Sequence, residues 1–155
     1  MTIVEKIKAS IRSAIKVDYG IRDSFGNVAL QPIEVYYHDD PTLNLMTSDM
    51  RFPCVLFQLL TQGNVLRDTG NIRERVTAAV FFVEPSDFDF EAVQNEAIID
   101  RCKQRAFAWL ASLNASTEIN LYSINRTTRV YDRYDDILTG FGVNVELTEL
   151  SGVCV

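Results

Sequence analysis

The chain has 155 residues, of which 47% are hydrophobic and 23% charged, and its formal net charge is −6. The length fits a single domain spanning residues 1–155, and the composition is that of a globular chain rather than a disordered one. The excess of acid excludes general nucleic-acid binding, which needs clustered Lys and Arg, while still suiting a surface past which DNA slides without sticking.

The first predicted element is an amphipathic helix from about Thr2 to about Lys16. Thr2 and Glu5 have the spacing of a capping box. Ile3, Ile7, Ile11 and Ile15 recur every four residues as one apolar stripe, with Lys8, Arg12 and Lys16 on another face. The stretch lacks the uninterrupted apolar run of a signal peptide, and no segment reaches the length of a membrane span.

Asp18 to Pro32 contains Gly20 and Gly26 and reads as loop, followed by a short strand from Ile33 to Tyr37. His38-Asp39-Asp40-Pro41 breaks that strand, and the polar run to Asp49 is long for a loop in a compact domain. Arg51–Leu60 and Ile72–Val83 are strong strand patterns expected to form a long antiparallel hairpin. Between them, Thr61 to Asn71 carries Gly63, Asn64, Asp68 and Gly70, and is expected to be a projecting turn region.

Pro85, Ser86 and Asp89 announce a second helix from about Phe90 to Leu113. Its acidic residues come first and its basic residues later, complementing the helix dipole. Winding it at helical pitch places Ile98, Ile99, Cys102, Ala106, Trp109, Leu110 and Leu113 on the core side. Val93, Phe107 and Ala111 fall on the outer side. A strand from Ile119 to about Tyr134 carries a polar stretch, Asn125 to Arg129, expected to bulge or bend. Asp135-Asp136 and Gly140 bracket a break. Phe141, Val143, Val145 and Leu147 then alternate with Gly142, Asn144, Glu146 and Thr148 as a strand with one wet face. Residues 151–155 read as a loose tail. The order implies an α+β fold, an antiparallel β-sheet with both helices packed on one face.

No catalytic constellation emerges, and the expectation is a protein that is not an enzyme and uses no cofactor or metal. The lone histidine, His38, has Asp39 and Asp40 beside it, and an enzyme built on it would need a remote nucleophile. Cys54, Cys102 and Cys154 are odd in number and widely spaced, so neither a disulfide framework nor a zinc site fits, and one or two buried thiols are expected. Asp87, Asp89 and Glu91 alternate carboxylates but lack the remaining ligands and the central glycine of a calcium loop, and suit helix capping. No acidic-x-Lys triplet, phosphate loop or dinucleotide fingerprint is present. Arg126, Arg129 and Arg133 lie on or beside one strand, and Arg67, Arg73 and Arg75 flank the hairpin loop. Acids such as Asp68, Glu74, Asp132 and Asp135 are interleaved with them, which reads as salt-bridging surface within or between subunits.

The amphipathic first helix, the hairpin Phe52–Leu60 with Ile72–Val83, the long helix ending Ala106-Phe107-Ala108-Trp109-Leu110, and the terminal run Tyr134-Asp135-Asp136-Ile137-Leu138-Thr139-Gly140-Phe141-Gly142-Val143-Asn144-Val145-Glu146-Leu147 together resemble the tail terminator and related neck proteins of tailed bacteriophages. The Asp39–Asp49 segment has no counterpart in that pattern. The resemblance implies a virion structural protein, assembled in the host cytoplasm, that closes into a homo-oligomeric ring at the head–tail junction, a hexamer or alternatively a dodecamer. Such a ring joins the tail tube to the portal or connector and passes DNA only as cargo, with no membrane partner. Candidate interface residues on this reading are Asp39, Asp40, Arg67, Asp68, Arg73, Phe107, Arg126, Arg129 and Arg133. The alternatives are a small adaptor that binds a peptide along the terminal strand, or an enzyme using His38 with nearby carboxylates.

Overall fold

The computed structural model describes residues 1–37, 50–60, 63–68, 71–86, 92–133, 138–150 and 153–154. Asp39, Asp40, His38 and the rest of the run to Asp49 lie outside the described residues, as do Asp87, Asp89 and Glu91.

Helix α1 (Ile3–Ala14) begins on the expected capping box: Thr2 Oγ1 accepts the Glu5 N–H at 3.2 Å, and Glu5 Oε2 accepts the Thr2 N–H at 2.7 Å. Ile7 and Ile11 are fully buried. The helix stops two residues earlier than its periodicity suggests. Ile15 is already extended, and Lys16–Val17 form β1, paired antiparallel with β2 (Gln31–Pro32). The Ile33 N–H bonds to the Ile15 carbonyl at 3.1 Å, so the β-branched Ile15 is worth more to this ladder than to another helical turn. The expected loop is therefore a small projection with a paired stem.

The main sheet holds β3 (Glu34–Tyr37), β4 (Cys54–Leu59), β6 (Asn71–Pro85), β8 (Leu138–Glu149) and β7 (Ile119–Arg133), in the order β3-β4-β6-β8-β7. The fold is α+β with a mostly antiparallel sheet. One pairing departs from the wholly antiparallel expectation: β3 and β4 run parallel, with Glu34 opposite Cys54 and Tyr37 opposite Phe57. The long 38–53 connection permits this, because parallel neighbours need a crossover rather than a tight turn.

A second departure concerns the segment between β4 and β6. It contains β5 (Asn64–Asp68), which pairs antiparallel with the first part of β6, from Asn64 opposite Arg75 to Asp68 opposite Asn71. Asp68 opposite Asn71 is the last pair of that ladder, with two residues between them in sequence. The turn signals read as loop were the punctuation of a strand pair. On the other flank of β6, β9 (Val153–Cys154) pairs with Asn71 and Ile72, so these two residues depart from the loose tail expected over 151–155. Gly140, expected to mark the end of a break, lies inside β8 opposite Val83. A Cβ there would sit 1.9 Å from the Phe82 carbonyl oxygen, so a strand this close to β6 requires glycine.

Helix α2 (Ala92–Ser112) buries Ile98, Ile99, Cys102, Ala106, Trp109 and Leu110, as its periodicity predicted. These join Ile7 and Ile11 of α1 and Val55, Phe57, Val80, Phe82, Val143 and Val145, alternate residues of three strands, in one core cluster. The remaining alternate positions supply a second cluster of Cys54, Leu56, Val83 and Leu138. Trp109 fixes α2 against α1 by donating its indole N–H to Ser10 Oγ at 2.9 Å. Lys6, nearly buried, reaches Glu149 at 3.6 Å and Glu118 at 3.9 Å.

Candidate functional site

Among the described residues, no group of three His, Cys, Asp or Glu side chains is arranged to hold a metal ion, and no helix is long and apolar enough to cross a membrane. Cys54 and Cys102 are buried free thiols, as expected of at least one cysteine. Burial raises both, Cys102 to about 12, so neither is a thiolate at neutral pH. The candidate surfaces are therefore the two flanks of the sheet.

On one flank, β5 and the start of β6 form an arm. Arg75 is opposite Asn64 of β5 and Thr148 of β8, which puts β5 on the side of β6 away from β8, the side that also holds β4. Along β6 the buried positions Val76, Ala78, Val80 and Phe82 continue outward as Glu74 and Ile72. The helices do not follow: Val65, opposite Glu74, is 71% exposed, and Ile72 is also exposed. An open cleft of about 380 Å³ at the arm's base is lined by Gly63, Val65, Ile72, Arg73, Glu74 and Glu149, among others. Two predicted site residues belong here: Arg67 is exposed, opposite Ile72, and Arg73 is half-buried, opposite Leu66. Asp68 closes the β5 register, and its side chain lies outside the described residues.

The opposite flank is β7, which among the described residues pairs only with β8. Its ladder slips between Leu121 and Ser123, between Ile124 and Arg126, and between Val130 and Arg133. The second slip falls at Asn125, at the start of the stretch expected to bulge. Between the last two slips, Arg126 to Val130 is regular. The arginine group expected near one another divides here. Arg126 stands opposite Asn144 and Arg129 opposite Phe141, positions of odd separation that project from opposite faces. Arg129 Nη1 lies 2.8 Å and 2.7 Å from the two Glu96 oxygens, and Tyr131 donates to Glu96 at 3.0 Å, so this group ties β7 to α2 within the chain. The hydrogen bonds from Arg129 and then Tyr131 hold Glu96 below the usual carboxylate range. Arg126 is exposed and makes no ion pair among the described residues. Arg133 ends β7 opposite Leu138, with its side chain outside the described residues.

Phe107 is half exposed, yet its ring meets Phe141 edge-on at 5.8 Å and Lys103 Nζ lies 5.6 Å from its centroid. It is a partly packed helix residue more than a free contact. Two groups escaped the sequence reading. One is Glu84, which binds Arg101 and Arg105 together. The other is the projection Asp18–Leu30, whose tip residue Phe25 is 87% exposed. A Phe set between Ser24 and Gly26 in a polar run was the available signal for the latter.

No protein-family model matches the chain, and no curated protein matches it.

Proposed function

We propose that this chain is a virion structural protein, a ring subunit at the head–tail junction of a tailed bacteriophage, either a tail terminator or a related neck ring. The observation that carries the reading is the pair of unmatched strand edges on opposite flanks of one sheet. The arm strand β5 offers one and β7 the other, and among the described residues neither has a second neighbour. Edges that differ and face opposite ways favour a heterologous contact, and such a contact repeated by rotation closes a ring. The regular stretch Arg126–Val130 is as long as β5 itself, so a strand-to-strand join needs no rearrangement of either partner.

The resemblance in element order supplies the setting: a hexamer, or alternatively a dodecamer, between tail tube and connector. The net charge of −6 suits a lumen through which DNA passes without adhering. Negative-stain imaging and light scattering of the purified chain test the reading. Closed rings, and the same ring at the junction of virions, are the expected result. A particle that stays monomeric at millimolar concentration and decorates no virion or tail tube would sink it.

A further inference from the structure

The projection Asp18–Leu30 is held by its own hydrogen bonds but leaves apolar side chains exposed. Asp23 Oδ1 accepts the N–H groups of Phe25 and Asn27, each at 2.9 Å, and the Asp23 N–H bonds to the Asn27 carbonyl at 2.9 Å. Gly26 turns the chain with φ +81, and Arg22 bridges Val28 below it. The root is tied down as well. The Tyr19 hydroxyl donates to the Pro53 carbonyl at 2.5 Å and accepts the Glu34 N–H at 2.8 Å, and burial lifts its pKa to about 12. Arg51 stacks 4.4 Å from the Tyr19 ring and bonds to Glu34 at 2.8 Å. All of this holds Phe25 at the tip, with Ile21, Val28 and Leu30 also exposed. Single exposed apolar residues are ordinary, but an ordered cluster around an aromatic tip loses little entropy when a partner covers it.

The root of this projection stands beside β3, one end of the sheet order. At the other end, about 19 Å away at roughly 4.8 Å per strand, β7 exposes Tyr122, 58% accessible, with the Arg75 guanidinium 3.5 Å from its ring centroid on one side. The charges match as well. Among the described residues the Asp23 carboxylate pairs with no cation, and Arg126, opposite Asn144 on the face that carries Arg75 and Tyr122, pairs with no acid.

We propose that residues 18–30 are the contact by which one copy of this chain docks on the β7 flank of a second copy. Phe25 packs on Tyr122, and Asp23 meets Arg126. The occupant is a second copy because the apolar patches and the opposite charges lie at opposite ends of one sheet. No single chain brings them together, whereas a head-to-tail row satisfies both in every member. The inference rests on the ring reading and names its contact: β5 lies on the same flank of β6 as β4 and β3, so arm and projection face the same neighbour.

The test is sedimentation equilibrium of the full chain across a concentration series, with far-UV circular dichroism and melting on every variant. Phe25→Asp and Tyr122→Ala are each expected to weaken self-association by about tenfold or more, the loss typical of a buried interface anchor, with little change in melting. Asp23→Asn keeps the acceptor of the turn and removes the charge. It and Arg126→Gln are each expected to weaken association, and the double variant to be no weaker than either single. Phe25→Asp and Tyr122→Ala variants that associate like the wild type, or additive effects of Asp23→Asn and Arg126→Gln, overturn this contact while leaving a wild-type ring intact. A wild-type chain that remains monomeric overturns the ring reading and the contact together.

Discussion

Arg105 sets its Nη1 2.7 Å from Oε2 of Glu84, and Arg101 closes on the same carboxylate with Nη2 2.9 Å from Oε1. Glu84 belongs to β6 and both arginines to α2, so the group joins helix to sheet. Burial raises the carboxyl's pKa, but the hydrogen bond from Arg101 and the charges of Arg105 and Arg101 outweigh it and hold the group below 4.5. Its folded value is thus lower than its unfolded value. The stabilisation it contributes is complete above 4.5 and is lost as pH falls through the folded value. Urea unfolding of the wild type should weaken as pH drops below 4.5, and Glu84→Gln should flatten that dependence and cost about 2 kcal/mol at neutral pH. Parallel pH profiles for the two proteins would show that another group carries the acid sensitivity.

Trp109 is fully buried, and its ring centroid lies 6.2 Å from that of Phe82. Trp109→Ala should destabilise by about 3–5 kcal/mol through the cavity it leaves. Ser10→Ala strands the indole N–H and should cost about 1 kcal/mol. In a Trp109→Phe background no N–H remains to strand, so Ser10→Ala should there cost measurably less. Equal costs in the two backgrounds, measured by urea denaturation, would mean that the 2.9 Å bond contributes no net stability.

How much of this was legible in the residues depended on the range of the forces involved. The capping box, the isoleucine stripe and the core face of α2 are local patterns, and each element obeyed its own periodicity. The helix ended early at Ile15 because Ile33, far along the chain, takes its carbonyl. The parallel β3–β4 pair and β5 were hidden for the same reason, since strand partners are chosen by tertiary packing. The turn signals at Gly63 and Asn64 bounded a strand too short and polar to announce itself.

The candidate surface was legible in outline only. Charge alternation correctly marked Arg129 as a salt-bridging residue, but its partner is Glu96 on α2 rather than an acid nearby in sequence. Grouping Arg126 with Arg129 failed because the pleat sends them to opposite faces. Phe25 was passed over because a loop's exposure cannot be read without knowing what packs above it.

Gly140 and Gly142 make a paired test of how closely β8 runs against its neighbours. A Cβ on Gly140 meets backbone, the Phe82 carbonyl at 1.9 Å, whereas one on Gly142 meets the Phe81 side chain at 2.5 Å. Backbone cannot move aside without breaking the β6–β8 ladder, and a ring can rotate. Gly140→Ala should therefore lose about 3 kcal/mol or fail to fold, and Gly142→Ala about 1 kcal/mol. The order of the two melting temperatures is the check, and a less stable Gly142→Ala would contradict it.

Val65 and Val76 point from the same face of the sheet, one on the bare arm and the other 4% exposed within the core cluster. The contrast separates assembly from folding. Val76→Asp buries an unpaired carboxylate and should destabilise the monomer by several kcal/mol, of the order of other buried-charge substitutions. Val65→Asp leaves the monomer's unfolding free energy in urea within about 0.5 kcal/mol of wild type, since the site is already exposed. If the arm's bare face is covered by a neighbour in the ring, the same change places a charge in that joint. Association measured by light scattering should then fall by tenfold or more, as for any anchor in a desolvated interface. Rings that form normally from Val65→Asp protein would remove the arm from the interface and leave the β7 flank to find its partner elsewhere.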